Sequence, residues 1–351
     1  MVYPRPLLLA VIYYVFLIPI DSIAYIQWIN ALINYKWLAS AIIFPFISIL
    51  SFGIVTMYYK VNGRLTTNNI NISQKKLLYI GLLDSVSTII SSMTLPYISV
   101  IVSITLCKIS IPVTMIFSYY FLDRRYHWNH YIALCIILVG VILTIVPYIQ
   151  NNNISNPPAL CLYIFSIIPT VLSDIYKEKL LKKNVELNLY WLNTYISFWQ
   201  LIVGVASTPI IFLHLTYGYS NPISFINYIT NGIKCQFAIS NNQNCNKSLM
   251  WVVIYQFIST TTSTLSFIII KYGSAMILLI LTNIKIPLTC FIGYVLLNYN
   301  LIYTTAMQRM ELSIYNYISI LLLVIGAFIY NYKPEYTRKK DSIEESLLNP
   351  L

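Results

Sequence analysis

Apolar residues run along this chain in long unbroken blocks, and polar residues interrupt them only briefly. The blocks lack the two-residue alternation of a half-buried strand and the narrow stripe of a surface helix. They predict helices that are apolar all round. Ten such spans fall at 6–29, 37–59, 77–95, 98–120, 128–149, 157–177, 190–216, 249–270, 273–297 and 312–331. One bilayer crossing needs about 20 residues of this kind. The first block begins at Pro6 and is long enough to stay as a span; no cleavage site of a signal peptide accompanies it. A membrane β-barrel would read as short alternating segments instead.

Composition agrees with the pattern. Of 351 residues, 58% are hydrophobic and 9% are charged, against roughly 25% charged in a soluble domain. That excludes an ordinary cytosolic enzyme, a disordered chain and a small secreted disulfide scaffold. The net charge of +11 would suggest nucleic acid in a soluble protein. Here no basic stretch is interleaved with stacking aromatics on a soluble module, so nucleic acid is not expected as a partner.

The basic residues set an orientation. With the N-terminus in the cytosol, Arg5, Lys60, Arg64, Lys75, Lys76, Arg124, Arg125, Lys177, Lys179, Lys182, Lys183, Lys271, Lys333, Arg338, Lys339 and Lys340 fall on the cytosolic side. Only Lys36, Lys234, Lys247 and Arg309 fall on the other. This asymmetry puts both termini in the cytosol and demands an even number of spans. The loop 217–248 then lies on the non-cytosolic side and contains Cys235 and Cys245. Two cysteines sharing one loop in an oxidising compartment read as a disulfide. Within that loop Ser224–Ile233 is amphipathic, as a segment lying along a membrane surface would be. The stretches Asn153-Ile-Ser155 and Asn246-Lys-Ser248 are glycosylation sequons on the same side. The tail 333–351 is charged and is expected to be disordered.

The two halves resemble each other. Shifted by 175 residues, Leu106-Cys-Lys-Ile-Ser-Ile-Pro-Val-Thr lies over Leu281-Thr-Asn-Ile-Lys-Ile-Pro-Leu-Thr, and Ser91, Tyr97 and Ser99 meet Ser266, Tyr272 and Ser274. Shifted by 186, Tyr131-Ile-Ala and Gly140 meet Tyr317-Ile-Ser and Gly326. Pro19-Ile-Asp21 corresponds loosely to Pro169 followed by Asp174. The expected architecture is an all-α, ten-helix protein built as a 5+5 inverted repeat, with halves 1–156 and 157–332. Such repeats place a solute site near the midplane between the halves.

Charges inside a bilayer are costly and mark function or tight pairing. The spans contain Asp21, Asp84, Lys108, Asp174 and Lys285, with Ser22, Ser87, Ser91 and Thr262 among the hydroxyls around them. A polar substrate cavity is the functional reading. In it a lysine holds a carboxylate or phosphate, and a desolvated aspartate carries a proton. Self-neutralising Asp–Lys pairs with back-bonded hydroxyls are the structural alternative. Pro112 and Pro287 sit in matched places and are expected to act as hinges or cavity walls. No HExxH, P-loop or GxSxG motif occurs, and neither a metal nor a cofactor is expected.

Further residues resemble a known family. Leu83-Asp84-Ser-Val-Ser, Ile109-Ser-Ile-Pro112, Phe121-Leu-Asp-Arg-Arg-Tyr-His127, Ser173-Asp174-Ile-Tyr-Lys-Glu178 and Asn231-Gly-Ile-Lys-Cys235 are similar to the chloroquine-resistance transporter family of the drug/metabolite transporter superfamily. The resemblance implies ten helices in inverted halves, a vacuolar or lysosome-like membrane, and proton-driven export of amino acids, small peptides and basic drugs to the cytosol. It implies lumenal disulfides, for which Cys235 and Cys245 are the available pair. It assigns proton coupling to Asp84 and Glu178, and drug-linked positions to Asp21 and Ser22. Lys108 and Lys285 stand where the family would have uncharged residues, and they favour substrates with a carboxylate. The expected partners are a small solute, protons and the lipid bilayer; nothing in the chain demands a dimer. A nucleotide-sugar or phosphorylated-sugar exchanger is the alternative of the same fold, and a membrane scaffold without transport is the alternative of another class.

Overall fold

In lipid a backbone must satisfy its own polar groups, and the long apolar blocks do so as helices. The computed structural model describes residues 5–63, 72–94, 97–98, 106–150, 157–184, 187–209, 222–239, 243–282, 292, 314–331 and 336–337. The helices are α1 (Arg5–Ala31), α2 (Phe44–Val61), α3 (Gln74–Thr94), α4 (Ser110–Leu122), α5 (Trp128–Gln150), α6 (Pro157–Lys183), α7 (Leu189–Ala206), α8 (Pro222–Gln236), α9 (Ser248–Tyr272) and α10 (Ile314–Asn331). A further helical stretch covers 275–282. A π-helical turn, Leu38–Ile43, leads directly into α2. Among the described residues, five helical segments are long and apolar enough to cross a bilayer: Pro6–Ala31, Leu38–Val61, Gln74–Thr94, Pro157–Lys183 and Cys245–Tyr272. Cys107–Leu122 and Trp128–Gly140 are shorter apolar helices. The protein is therefore an all-α polytopic membrane protein.

Long helices packed side by side gather their ends at two levels. At one level the start of α1 (Leu7, Ala10), the start of α3 (Leu77, Ile80), the α6–α7 turn (Leu181, Leu187, Leu192) and the end of α9 (Ile269, Ile270) form one core. Several of the basic residues singled out in the sequence border this end, among them Lys75, Lys76, Lys182 and Lys183. At the other level Trp28 and Leu32 of α1 pack with Cys235, Cys245, Val252 and Tyr255. Large apolar side chains such as Phe257 and Phe328, 79% and 77% exposed, point away from the bundle. Outward-facing apolar residues are what lipid requires.

In the non-cytosolic loop of the sequence reading, α8 covers the amphipathic segment, and a disulfide joins Cys235 to Cys245. Phe225 and Tyr228 of α8 pack on Trp37 and Leu38. Trp28 Nε1 donates to Gln236 Oε1 at 2.9 Å, tying α8 to α1. At the opposite end the tail contributes a short strand. Tyr336–Thr337 (β2) pair antiparallel with Arg124–Arg125 (β1), Arg124 opposite Thr337 and Arg125 opposite Tyr336. These are the two residues of the tail that the structure describes.

Helix pairs form α1 with α9, α3 with α6, α2 with α7, α3 with α7, α4 with α6, and α5 with α10. Small residues set the closest approaches. A Cβ at Gly204 of α7 would lie 2.0 Å from the Ala41 carbonyl oxygen in the π-helical turn. A Cβ at Gly81 of α3 would lie 2.6 Å from Trp199 Cβ, and one at Gly326 of α10 2.6 Å from Ile137 Cγ1. Backbone cannot move aside as a side chain can, so Gly204 is the most demanding of the three. Gly204→Ala is expected to destabilise the protein by about 1–3 kcal/mol, the cost of overpacking. Gly53→Ala, with its nearest neighbour at an ordinary 3.9 Å, is expected to be neutral or slightly stabilising through helix propensity. Thermal unfolding in detergent compares the two.

Candidate functional site

The charged residues of α6 follow one another closely: Asp174, Lys177, Glu178, Lys179, Lys182 and Lys183. Helical spacing places Asp174 near Lys177 and Glu178 near Lys182. The first pair turns toward α3. Lys177 Nζ lies 3.0 Å from Asp84 Oδ2 and 3.3 Å from Asp174 Oδ1. It also donates to Asp84 Oδ1 at 3.2 Å. Gln200 Nε2 of α7 donates to Asp84 Oδ2 at 3.1 Å. The three charged side chains are only 13–16% exposed. Asp84 thus receives donors from α6 and α7 together and gathers three helices around one carboxylate.

Hydroxyls extend this contact along α3 and α6. Ser87 donates to the Ser166 carbonyl at 2.7 Å and also meets the Thr170 hydroxyl. Ser85 donates to the Gln200 carbonyl at 3.2 Å. Asp21 and Ser22 lie on α1, where Ser22 back-bonds to the Ile18 carbonyl at 2.7 Å. Tyr14 of α1 lies within electrostatic reach of both Asp21 and Asp174. Around Asp21 stand Tyr25 and Tyr255, whose rings pack 5.3 Å apart, with Trp28 against Tyr255 at 5.4 Å.

The other expected site residues are more dispersed. Ser91 and Thr262 donate to carbonyls of their own helices, Thr88 and Ser259, at 3.0 and 3.1 Å. Lys108 is buried in the turn before α4. Its neighbour Cys107 meets the Tyr163 hydroxyl at 3.1 Å. Tyr163 precedes Asp174 by eleven residues on α6, or about 16 Å of helix rise. The sequence placed Lys108 and Asp84 both near mid-span; the structure puts Lys177 on Asp84 instead. Lys177, counted in the sequence among the cytosolic cations, turns inward. Pro112 occupies the first turn of α4, where proline needs no partner for its missing N–H. Pro19 lies inside α1 and Pro169 inside α6. Lys285 and Pro287 lie outside the described residues.

A second ion assembly involves Glu178, which is fully buried. Its Oε1 pairs with Arg124 Nη2 from the α4–α5 connection and with Lys182 Nζ at 2.6 Å. Its Oε2 accepts the Ala275 backbone N–H at 3.0 Å, at the start of the 275–282 helix. Two sequence signals could have found part of these groups: Lys177 is three residues from Asp174, and Gln200 is one of two carboxamides, with Asn193, in an apolar span.

A buried ion cluster between membrane helices, with polar hydroxyls beside it, suits a solute pathway. Comparison with known proteins bears on this. The CRT-like family, chloroquine-resistance transporter-like, matches residues 7–330. The chain belongs to this family. It is 27% identical over 231 residues to the chloroquine resistance transporter of Plasmodium vivax, covering 60% of this chain and 53% of that protein. It is 26% identical to the chloroquine resistance transporter of Plasmodium falciparum, over 62% of this chain and 52% of that protein. The chloroquine resistance transporter of Toxoplasma gondii is 20% identical, over 67% of this chain and 28% of that protein. The chain spans about half the length of the two Plasmodium relatives.

The cluster predicts an order of mutant stabilities. Asp84→Asn leaves Lys177 paired with Asp174 and is expected to be mild. Lys177→Met leaves two carboxylates without their shared cation and is expected to cost about 3–5 kcal/mol, as breaking a buried pair does. Thermal unfolding of both variants in detergent gives the comparison. Equal losses would mean that Lys177 is not the cation on which the two aspartates depend.

Proposed function

We propose that this chain is a proton-coupled secondary transporter that moves amino acids, small peptides or related small solutes, basic drugs among them, from an acidic vacuole-like compartment to the cytosol. The Asp84–Lys177–Asp174 cluster carries this reading, together with membership of a family whose curated relatives are named as transporters. Two carboxylates and one ammonium leave one net negative charge when all are ionised. Such a cluster accommodates one further cation, either a proton or the cationic group of a solute. Competition between the two at one place is the simplest physical route to coupling. Asp21 and Ser22, with Ser87, Ser91 and Thr262, border the proposed cavity, and Lys108 and Lys285 serve as carboxylate holders. Pro112 and Pro287 remain the proposed hinge or wall positions. Glu178 is the second carboxylate proposed to respond to protons.

The proposed architecture is ten spans in two inverted halves, 1–156 and 157–332, with both termini cytosolic and the tail 333–351 beyond them. The pairing of helices supports it. Exchanging α1–α5 in order with α6, α7, α9, the 275–282 helix and α10 turns the α1–α9 pair into α6–α3. The same exchange returns α2–α7 and α5–α10 onto themselves. All of these pairs are present. Inverted halves place a solute site at the midplane and allow access to alternate by rocking.

The test is uptake into proteoliposomes with and without an acid interior, offering labelled basic, neutral and acidic amino acids, short peptides and a nucleotide sugar. Gradient-dependent movement of amino acids or peptides is expected, reduced at least about tenfold in Asp84→Asn, the scale of one lost charge interaction. Exchange of the nucleotide sugar regardless of the gradient would overturn the reading.

A further inference from the structure

Glu178 is bound by groups from both proposed halves of the chain. Arg124 comes from the α4–α5 connection, while Ala275 opens the helix that follows α9. Asp123 ends α4 in the left-handed region, at φ 51°, and its N–H closes on the Ser118 carbonyl. The chain therefore turns sharply into Arg124 with little slack. Arg125 is held separately, its guanidinium 5.2 Å over the Tyr119 ring. Arg124 and Arg125 together form β1, the strand on which Tyr336–Thr337 of the tail are laid. One short connection thus carries a buried ion pair on a side chain and a strand of the tail on its backbone.

We propose that Arg124, Glu178 and the Ala275 amide form a clasp that holds the basic end of the bundle closed, and that the tail strand sets how firmly it holds. This makes Arg124 and Glu178 positioning residues for transport, and to that extent the inference rests on the transport reading. The partners of Glu178 suit a clasp that must open. Lys182, 40% exposed on its side chain, stays on the same helix as Glu178. When Arg124 leaves, the carboxylate keeps one cation and is not stranded in a low dielectric. The Ala275 amide belongs to another segment and is released with the movement. A two-residue ladder is marginal by itself, so the tail strand can come and go at modest cost. While it is paired, it fixes the backbone that presents Arg124.

Ser274 reports on the clasp. It is buried beside Ala275, and its hydroxyl accepts the Ile277 N–H at 3.1 Å. In the full-length chain, with Cys107, Cys135, Cys161 and Cys290 replaced by Ser, Ser274→Cys provides a single thiol outside the Cys235–Cys245 disulfide. Its labelling by a polar maleimide is followed in detergent, with thermal unfolding checked for every variant. Arg124→Gln is expected to speed labelling about tenfold, through more frequent local opening. Tyr336→Pro with Thr337→Pro removes two backbone donors of the tail strand. It leaves Arg124 and Glu178 in place and is expected to give a smaller increase. Unchanged labelling in folded Arg124→Gln overturns the clasp. An increase there with none in the proline variant overturns the role of the tail. Should Arg124→Gln fail to fold, Arg124→Lys, which keeps the charge and loses the planar fork, takes its place with the same two outcomes. Labelling does not require transport, so a protein that moves no solute but shows the increase would overturn the transport reading and uphold the clasp.

Discussion

A charge held among membrane helices has little water to fall back on, so it must bring its partner with it. The organisation of this bundle follows from that constraint. Asp84 of α3, Asp174 and Lys177 of α6, and Gln200 of α7 come together because none of the three charges can be left alone there. Glu178 is more deeply buried still and is met by two cations and one amide. Each assembly draws its members from different helices. The need to neutralise charge therefore also fixes how the helices sit against one another. Apolar packing could not do this alone, since lipid tails satisfy an Ile or Leu surface as well as another helix does.

Where charges fix position, glycines permit the approach. Gly81 brings α3 against α7, the helix that supplies Gln200 to Asp84. Gly204 brings α7 against the π-helical turn ahead of α2. Trp37, just before that turn, is tied to the same end of α7, its Nε1 donating to the Ser207 hydroxyl at 3.4 Å. A larger residue at either glycine would push α7 outward and carry Gln200 with it. Close packing and the polar cluster are in this way parts of one arrangement.

Much of the fold was legible in the sequence because lipid imposes a simple pattern. Helical segments lie where the apolar blocks run, and the loop cysteines are joined, since two thiols ten residues apart in one loop are within easy reach of each other. The polar site was legible in part. Asp84, Asp174 and Ser87 were found as polar residues in apolar blocks; Asp84 and Asp174 share Lys177, while Ser87 bonds to Ser166 and Thr170. Lys177 was not found, because it stands six residues before the end of α6 among Lys179, Lys182 and Lys183, and a count of basic residues by side treats it as one of them. Only the helical turn that puts it over Asp174 distinguishes it. The partner of Glu178 was beyond reach for another reason. Arg124 lies 54 residues away in the sequence, and nothing local records which buried carboxylate a loop arginine will meet.

The helix that carries both assemblies is α6. Asp174 and Lys177 face α3, while Glu178, one residue further along, faces the α4–α5 connection and Ala275. Asp174 and Glu178 are one turn apart, close enough to share a field in a low dielectric. A helix held at two adjacent points by ions on different neighbours resists both sliding and rotation. It can shift against α3 only by stretching the contacts of Lys177, and against the α4–α5 connection only by stretching those of Glu178. Any movement that opens the basic end must therefore reset both sets of contacts or leave α6 in place and move its neighbours around it. Pro169 marks where α6 itself can give, since it removes one backbone hydrogen bond on the opposite side of Asp174 from Glu178. A bend there would leave the two ion assemblies together on one rigid segment, so that the charged half of α6 moves as a unit.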